Sequence, residues 1–234
     1  MRILLPCIIL LFLSFYANAQ LGIIKDPDGF CNVRAEPNTQ SKIEDTLTNG
    51  RFIYHLQDDE TKNNWLLVDY HKGKDQHSGY IHRSRVVFIK DLTPFKNITA
   101  NDTLLKAELN DMQVTIKAGS FIKAGRKIND KNPAGENFAL IDGKTIWGTD
   151  GGIPHTEYKS IQFKSGAQTL NFPKSSYNDL FEVISIKRNT TLRFDKTTGK
   201  VYIEAGNSDA AGSYEVVWAI NNGKIEWREE FIPF

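Results

Sequence analysis

Residues 28–37 read Asp-Gly-Phe-Cys-Asn-Val-Arg-Ala-Glu-Pro, and residues 79–86 read Gly-Tyr-Ile-His-Arg-Ser-Arg-Val. Asp28-Gly29 is a turn dipeptide, because glycine adopts the positive φ that a tight turn needs. The side chains that follow alternate between a larger or polar group and a small apolar one as far as Arg34. This period of two predicts a short strand, which Pro37 ends because proline has no N–H to donate to a neighbouring strand.

Two further motifs lie between these stretches, Leu47-Thr48-Asn49-Gly50 and Trp65. In the order and character of these motifs the chain resembles the bacterial SH3 (SH3b) family over residues 22–89, although Cys31 stands where the family usually has valine or another small apolar residue. The resemblance implies a compact barrel of five or more short strands. It also implies a binding role towards peptidoglycan or peptides of the cell envelope, and it does not imply catalysis.

The first 19 residues have the pattern of a signal peptide. Arg2 is followed by an apolar run from Ile3 to Tyr16, and Ala17-Asn18-Ala19 supplies the small residues of a cleavage site. An uncleaved membrane anchor is the alternative, although the run is shorter than the roughly 20 residues that a span needs. We therefore expect a periplasmic or secreted protein in which Cys31 is the only remaining cysteine, so that no intramolecular disulfide forms.

Length and charge limit the remaining possibilities. A chain of 234 residues is long enough for two domains, each with its own core. The net charge is +1, with both signs interspersed, so no basic stripe points to nucleic acid and no basic amphipathic helix points to a membrane surface. We expect neither nucleic acid nor insertion into a membrane after cleavage of the signal.

The remainder of the chain is rich in β-strand signals. Residues 90–103 are predicted to form a linker, because Pro94 interrupts them and the apolar periodicity fades. Residues 104–234 alternate in short runs separated by turn dipeptides, of which Asn222-Gly223 is the clearest hairpin signal. The predicted fold class is all-β, with an SH3b-like small barrel at residues 22–89 followed by a larger antiparallel β-sandwich or barrel.

The second half also resembles an exported bacterial β-domain for which no activity is established. The resemblance is carried by residues 147–154, 172–175 and 209–214, and it implies an envelope location only. One short helix is predicted at Tyr177–Phe181, after Pro173 and the serines that follow it.

Three residues are candidates for lining a ligand groove in the first domain. Tyr80 and His82 lie on the same face of one predicted strand, and aromatic groups with a polar tip serve binding surfaces as well as cores. Arg34 can contact a carboxylate there. The alternative for Arg34 is a structural hydrogen bond across the barrel, and Trp65 is the best candidate for the core.

The residues that could form a catalytic or metal site also have structural roles open to them. Cys31 lies inside a predicted strand and is expected to be a packed core residue rather than a nucleophile. A metal site needs three ligands, and a glycosidase needs two facing acids. The candidate metal ligands are Asp142, Asp150, His155 and Glu157, and the candidate acids are Glu204, Asp209, Glu215 and Glu226. Each of these acids has a structural alternative as a turn residue or a solvated strand-edge group. The glycine-rich loop Gly148–Gly152 is expected to be a plain tight loop.

These patterns predict a non-catalytic exported protein without cofactor or metal, whose first domain recognises a cell-wall peptide or an envelope protein. One alternative is a periplasmic inhibitor or immunity-type protein that binds a toxin or hydrolase. A second alternative is a hydrolase with its site in residues 100–234. The residues do not name the ligand or the partner.

Overall fold

The computed structural model describes residues 20–55, 62–129, 140–149 and 151–233, so the predicted signal peptide lies outside the described residues. The described chain is almost entirely antiparallel β-structure, as predicted. Its strands are β1 Gln20–Ile24, β2 Phe30–Arg34, β3 Ile43–Thr48, β4 Phe52–His55, β5 Trp65–Lys72, β6 Asp75–His82, β7 Val86–Phe88, β8 Thr93–Pro94, β9 Lys96–Ala100, β10 Leu104–Leu109, β11 Met112–Ser120, β12 Ile128–Asn129, β13 Leu140–Ile141, β14 Lys144–Thr145, β15 Thr156–Ser165, β16 Gln168–Asn171, β17 Thr190–Asp195, β18 Lys200–Asn207, β19 Tyr214–Asn221 and β20 Lys224–Phe231.

Helical structure is confined to short segments. Its α-helical part is α1, Ile186–Asn189, and the 3₁₀ turns are Lys62–Asn64, Arg83–Arg85, Ile89–Asp91, Lys174–Ser176 and Ala210–Gly212. The helix expected at Tyr177–Phe181 was wrong, because Phe181 instead forms a bridge with Glu157 and the helical turn ends at Ser176. In the described chain, no helix has the length and apolar character needed to cross a bilayer.

The first seven strands form one curled sheet, which we call the N-terminal sheet, in the order β3-β2-β6-β5-β4-β1-β7. Buried side chains from all seven strands meet in a single core, which requires the sheet to curl round on itself. Its first and last strands pair, with Ile23 opposite Val87. The two quoted stretches also meet, because Arg34 pairs with Tyr80. Gly79 permits this approach, since a Cβ atom there would lie 2.4 Å from Val33 Cγ1.

The second half is a sandwich of two five-stranded sheets. We call the sheet β20-β19-β18-β17-β8 the middle sheet and the sheet β16-β15-β11-β10-β9 the outer sheet, and a large shared core lies between them. A small three-stranded sheet, β12-β13-β14, lies beside them. The predicted hairpin at Asn222-Gly223 is confirmed, and both residues have the positive φ values, 49° and 67°, that a type I′ turn requires.

Residues 90–103, expected to be a linker, contain two strands of the second half. Strand β8 pairs with β17, and β9 pairs with β10. Phe95, between them, is buried in the core of the sandwich. Pro94 is tolerated because β8 is the last strand of its sheet and its missing N–H leaves no ladder bond unmade.

The middle sheet buries both of its faces. Along β19, Val216, Trp218 and Ile220 face the outer sheet, whereas Val217 and Ala219 belong to a separate core that includes residues of the N-terminal sheet. We call this contact the seam. On the side of the N-terminal sheet it is formed by Leu21, Ile23, Phe52 and Tyr54. Phe52 packs edge-on against Tyr202 at 6.1 Å between ring centroids, and Tyr54 stacks on Phe231 at 5.6 Å.

Candidate functional site

A cleft of about 380 Å³ opens on the N-terminal sheet where the two quoted stretches meet. We call it the β2–β6 cleft. The lining comes from β2 with the turn before it and the connection after it, from the start of β5, and from the end of β6 with the turn that follows. It consists of Asp26, Asp28, Phe30, Cys31, Asn32, Arg34, Thr39, Trp65, His82, Ser84 and Arg85. The alternation predicted for β2 is present, since Cys31 and Val33 are buried while Phe30, Asn32 and Arg34 point to the other face.

The structure places two of the three predicted site residues, Arg34 and His82, in the lining of this cleft. Tyr80 is the strand partner of Arg34 and is half-buried, but it lies outside the lining. The three residues therefore share one face of the sheet, and two of them share the cleft.

The guanidinium group of Arg34 is already engaged on one side. Its Nη1 donates a 2.6 Å hydrogen bond to the carbonyl oxygen of Ser41, which lies in the connection between β2 and β3. Ser41 Oγ also accepts a hydrogen bond from the main-chain N–H of Glu36 at 2.9 Å, so two hydrogen bonds hold the end of this connection against its beginning. Arg34 thus fixes one wall of the cleft as well as lining it, and the structural hydrogen bond weighed as the alternative is made.

His82 is held by the turn that follows it. Its Nδ1 lies 2.7 Å from Ser84 Oγ and accepts the main-chain N–H of Ser84, so the neutral ring carries its proton on Nε2. The ring meets Trp65 edge-on at 5.5 Å between centroids. Trp65 is buried, as predicted, yet it also contributes to the cleft wall. This arrangement presents a hydrogen-bond donor on a rigidly held aromatic group.

The acidic side of the cleft is built around Asp26, which is 7 % exposed. Its Oδ1 accepts the main-chain N–H of Asp28 at 2.9 Å and an N–H of Arg85 at 3.3 Å. Asn49 clamps the main chain of Asp26 from the other side with two hydrogen bonds of 2.8 Å. The cleft therefore combines carboxylates and guanidinium groups at fixed positions.

Cys31 forms part of the cleft wall but has the character of a core residue, as predicted. It is buried, and burial raises the pKa of its thiol to about 11, with a further contribution from the charge of Asp26. At neutral pH the thiol therefore stays protonated, whereas a cysteine nucleophile reacts as the thiolate.

Several lining residues were not singled out in the sequence. Phe30, with 46 % of its surface exposed, could have been found, because its place in the period of two puts it on the face of Arg34. Asp26 and Arg85 carry no such signal, because they come from separate turns and meet only when β1 and β7 pair.

The candidate residues of the second half are divided between different partners. Arg126 lies 2.6 Å from Asp142 and 3.6 Å from Glu157, whereas His155 Nδ1 lies 3.0 Å from Glu182. Asp150 lies outside the described residues, and within the described ranges no three acidic, histidine or cysteine residues cluster as metal ligands. The structure thus does not bring together the described members of the candidate metal group.

The four candidate acids are likewise separated, with one exception. Glu226 pairs with Lys200 at 2.5 Å. Asp209 lines a cleft of about 480 Å³ that also contains Gly148, His155 and Glu182. Glu204 and Glu215 share another cleft, in the middle sheet.

Comparison of the chain with models of protein families, with curated proteins and with solved structures finds no match.

Proposed function

We propose that the protein is a non-catalytic exported binding protein whose N-terminal sheet is an SH3b-like module that recognises a cell-wall peptide or an envelope protein. The observation that carries the proposal is the β2–β6 cleft. It is built from the two stretches on which the SH3b resemblance rests, and it lies on the face of the sheet that the seam leaves open.

The chemistry of the cleft suits a peptide. The exposed ring of Phe30 offers apolar contact, and Arg34 and Arg85 offer donors for carboxylates or main-chain carbonyls. Asp26 and Asp28 offer acceptors for N–H groups of the ligand. A site of this kind gains affinity from buried apolar area and specificity from a few oriented polar groups.

A protein partner is favoured by one further feature. Ile43, with 48 % of its surface exposed, pairs with Arg34 on the neighbouring strand, so it and Phe30 are two exposed apolar side chains on β3 and β2. Exposed apolar side chains beside charged groups are typical of protein interfaces. An inhibitor or immunity-type protein that binds a toxin or hydrolase in the same compartment is therefore our second candidate function.

A pull-down of the mature protein against intact sacculi and against an envelope extract tests both. Retention by sacculi, or capture of an envelope protein that is neither toxin nor hydrolase, supports the first function, and capture of one toxin or hydrolase in stoichiometric amount supports the second. Phe30→Ala should weaken retention by about tenfold, since burying an aromatic anchor contributes on the order of 1–2 kcal/mol. Ile98→Ala is the matched control, because Ile98 is equally exposed at 48 % but lies on β9. Equal retention of both variants contradicts the proposal.

A further inference from the structure

The three large sheets of the described chain end in edge strands, namely β3 and β7 in the N-terminal sheet, β20 and β8 in the middle sheet, and β16 and β9 in the outer sheet. An edge strand presents unpaired main-chain N–H and C=O groups to which another strand can add. Proteins protect such edges by keeping them short or by placing β-bulges, proline or charged side chains in them. The protection at each edge therefore indicates where another chain can pair.

Five of these six edges are protected. Strand β7 has three residues, and β8 has two, one of which is Pro94. The three longer strands β3, β9 and β20 each contain one extra residue that is skipped in the pairing register, Glu44, Ile98 and Glu226 respectively. Such a bulge bends the strand and interrupts the regular spacing of its main-chain groups, which hinders pairing with another chain.

Strand β16 has none of these protective features. Gln168–Asn171 pairs with β15 without a register shift, and Phe172 extends the pairing by donating its N–H to the carbonyl oxygen of Ile161 at 2.9 Å. The four residues of β16 are uncharged, and all except Leu170 are exposed. Among the edges of the three large sheets in the described ranges, β16 is therefore the one that is open to a further strand.

The bond from Phe172 also shows which main-chain groups point away from β15. Hydrogen-bonded and non-hydrogen-bonded pairs alternate along an antiparallel ladder. Because Phe172 is bonded to β15, the groups of Leu170 face β15 as well, whereas those of Thr169 and Asn171 face the open side. The side chain of Leu170 packs towards the core of the sandwich, so Thr169 and Asn171 stand on the outer face of the sheet.

This arrangement is complementary to itself. When a second β16 lies antiparallel with Leu170 opposite Leu170, Thr169 is opposite the partner's Asn171, and each such pair exchanges both of its N–H···O bonds. Asn171 Oδ1 accepts a 2.7 Å hydrogen bond from Gln162 Nε2, which leaves the amide hydrogens of Asn171 for the hydroxyl of the partner's Thr169. The two half-buried Leu170 side chains meet on the core side, and β16 brings no like charges together.

We propose that the protein forms a two-fold symmetric dimer in which β16 pairs antiparallel with β16 of a second copy about Leu170. The pairing joins the two five-stranded outer sheets into one continuous sheet. A strand from a different protein is recognised through pockets for its alternate side chains. The β2–β6 cleft and the clefts around Asp209 and Glu215 contain no residue of β16, whereas the two-fold match is built into β16 itself.

Sedimentation velocity of the mature full chain tests this proposal. The interface is small, so we expect a weak dimer that replaces the monomer between about 10 µM and about 1 mM. Thr169→Lys should weaken dimerisation by at least about tenfold, because a charge on an edge strand opposes pairing. Thr99→Lys is the matched control, since Thr99 is an exposed threonine on β9, the other edge of the same sheet, and this variant should dimerise as the wild type does.

A pair of double variants tests the register. Thr169→Lys with Asn171→Lys should be monomeric, whereas Thr169→Lys with Asn171→Glu should regain dimerisation, because each new lysine then faces the partner's new carboxylate. Thermal unfolding checks that each variant is folded.

A monomer throughout the concentration range overturns the proposal, even where a segment of another protein binds at β16. So does a dimer that Thr169→Lys leaves unchanged, or an oppositely charged double variant that dimerises no better than Thr169→Lys. The measurement needs no ligand and β16 contributes nothing to the β2–β6 cleft, so this proposal and the proposed function can fail separately.

Discussion

Two regions of the outer surface of the N-terminal sheet contrast with each other, one on β1 and β4 and one on β2. On β1 and β4 the outward positions are Leu21, Ile23, Phe52 and Tyr54, and all are buried in the seam. On β2 the outward positions are Phe30, Asn32 and Arg34, and they stay accessible and line a cleft. One curled sheet thus docks on the middle sheet through β1 and β4 and leaves the outward side of β2 accessible, where we propose that a ligand binds. The docked face packs the two halves against each other through a shared core, and none of the residues of this core lines the β2–β6 cleft.

The largest expected effect on stability is that of replacing Phe52, the buried phenylalanine of the docked region. Phe52→Ala should lower the free energy of unfolding by about 3–5 kcal/mol, because it empties a buried position between Tyr202 and the core of the seam. Chemical denaturation followed by tryptophan fluorescence measures the change. Because the seam is a shared core, the wild type should unfold in one transition. Two well-separated transitions in the wild type would contradict a shared core.

Removing the ion pair at the polar border of the seam should have an effect of intermediate size on the free energy of unfolding. Arg51 Nη2 lies 3.1 Å from Glu229 Oε1 and 2.8 Å from the carbonyl oxygen of His71. Arg51→Ala leaves Glu229 mostly buried without its partner, and we expect a loss of about 2 kcal/mol in the free energy of unfolding. Replacing both residues, as Arg51→Ala with Glu229→Gln, should recover part of the loss. An unchanged stability of the single variant would mean that the pair does not stabilise the seam.

These two effects depend on a contact that the sequence does not reveal. Phe52 and Tyr54 lie in a run that is apolar on both faces, and such a run predicts a buried strand without naming what covers its second face. By contrast, the alternation from Phe30 to Arg34 predicted both the strand and the face on which Arg34 lies. That Glu204 and Glu215 become diagonal neighbours depends on the register of β18 against β19, which a single sequence does not specify.

The pH dependence of stability provides a smaller effect, at Glu215 on β19 of the middle sheet. Burial raises the pKa of Glu215 from 4.5 to about 8, and the charge of Glu204, its diagonal neighbour on β18, adds to this effect. Between these pH values the folded chain keeps a proton that the unfolded chain releases, so this contribution to stability is present below about pH 4.5 and is lost as the pH rises towards 8.

Glu215→Gln removes that proton linkage. We expect the variant to match the wild type near pH 4.5 and to be more stable by about 1 kcal/mol near pH 8, a figure reduced because the carboxyl group is partly exposed. Denaturation midpoints measured across this range give the difference. A gap between variant and wild type that does not change with pH would count against a raised pKa at this position.

The smallest expected effect on stability is that of replacing Phe30, the exposed phenylalanine on β2. Phe30→Ala should change the free energy of unfolding by less than about 0.5 kcal/mol, because the ring of Phe30 is 46 % exposed and packs little. The same denaturation experiment that detects the loss in Phe52→Ala measures it. A loss comparable to that of Phe52→Ala would show that the open face serves stability rather than binding.

Amide hydrogen exchange tests the central claim most directly, namely that the open face of the N-terminal sheet is the binding surface. The protein is compared alone and in the presence of the sacculi or the envelope protein that retains it in the pull-down. The account predicts slower exchange in residues 28–37 and 79–86 on binding, with no change in β1 and β4, whose outer face is already covered by the seam. Unchanged exchange in both stretches, with slower exchange confined to other parts of the chain, would contradict it.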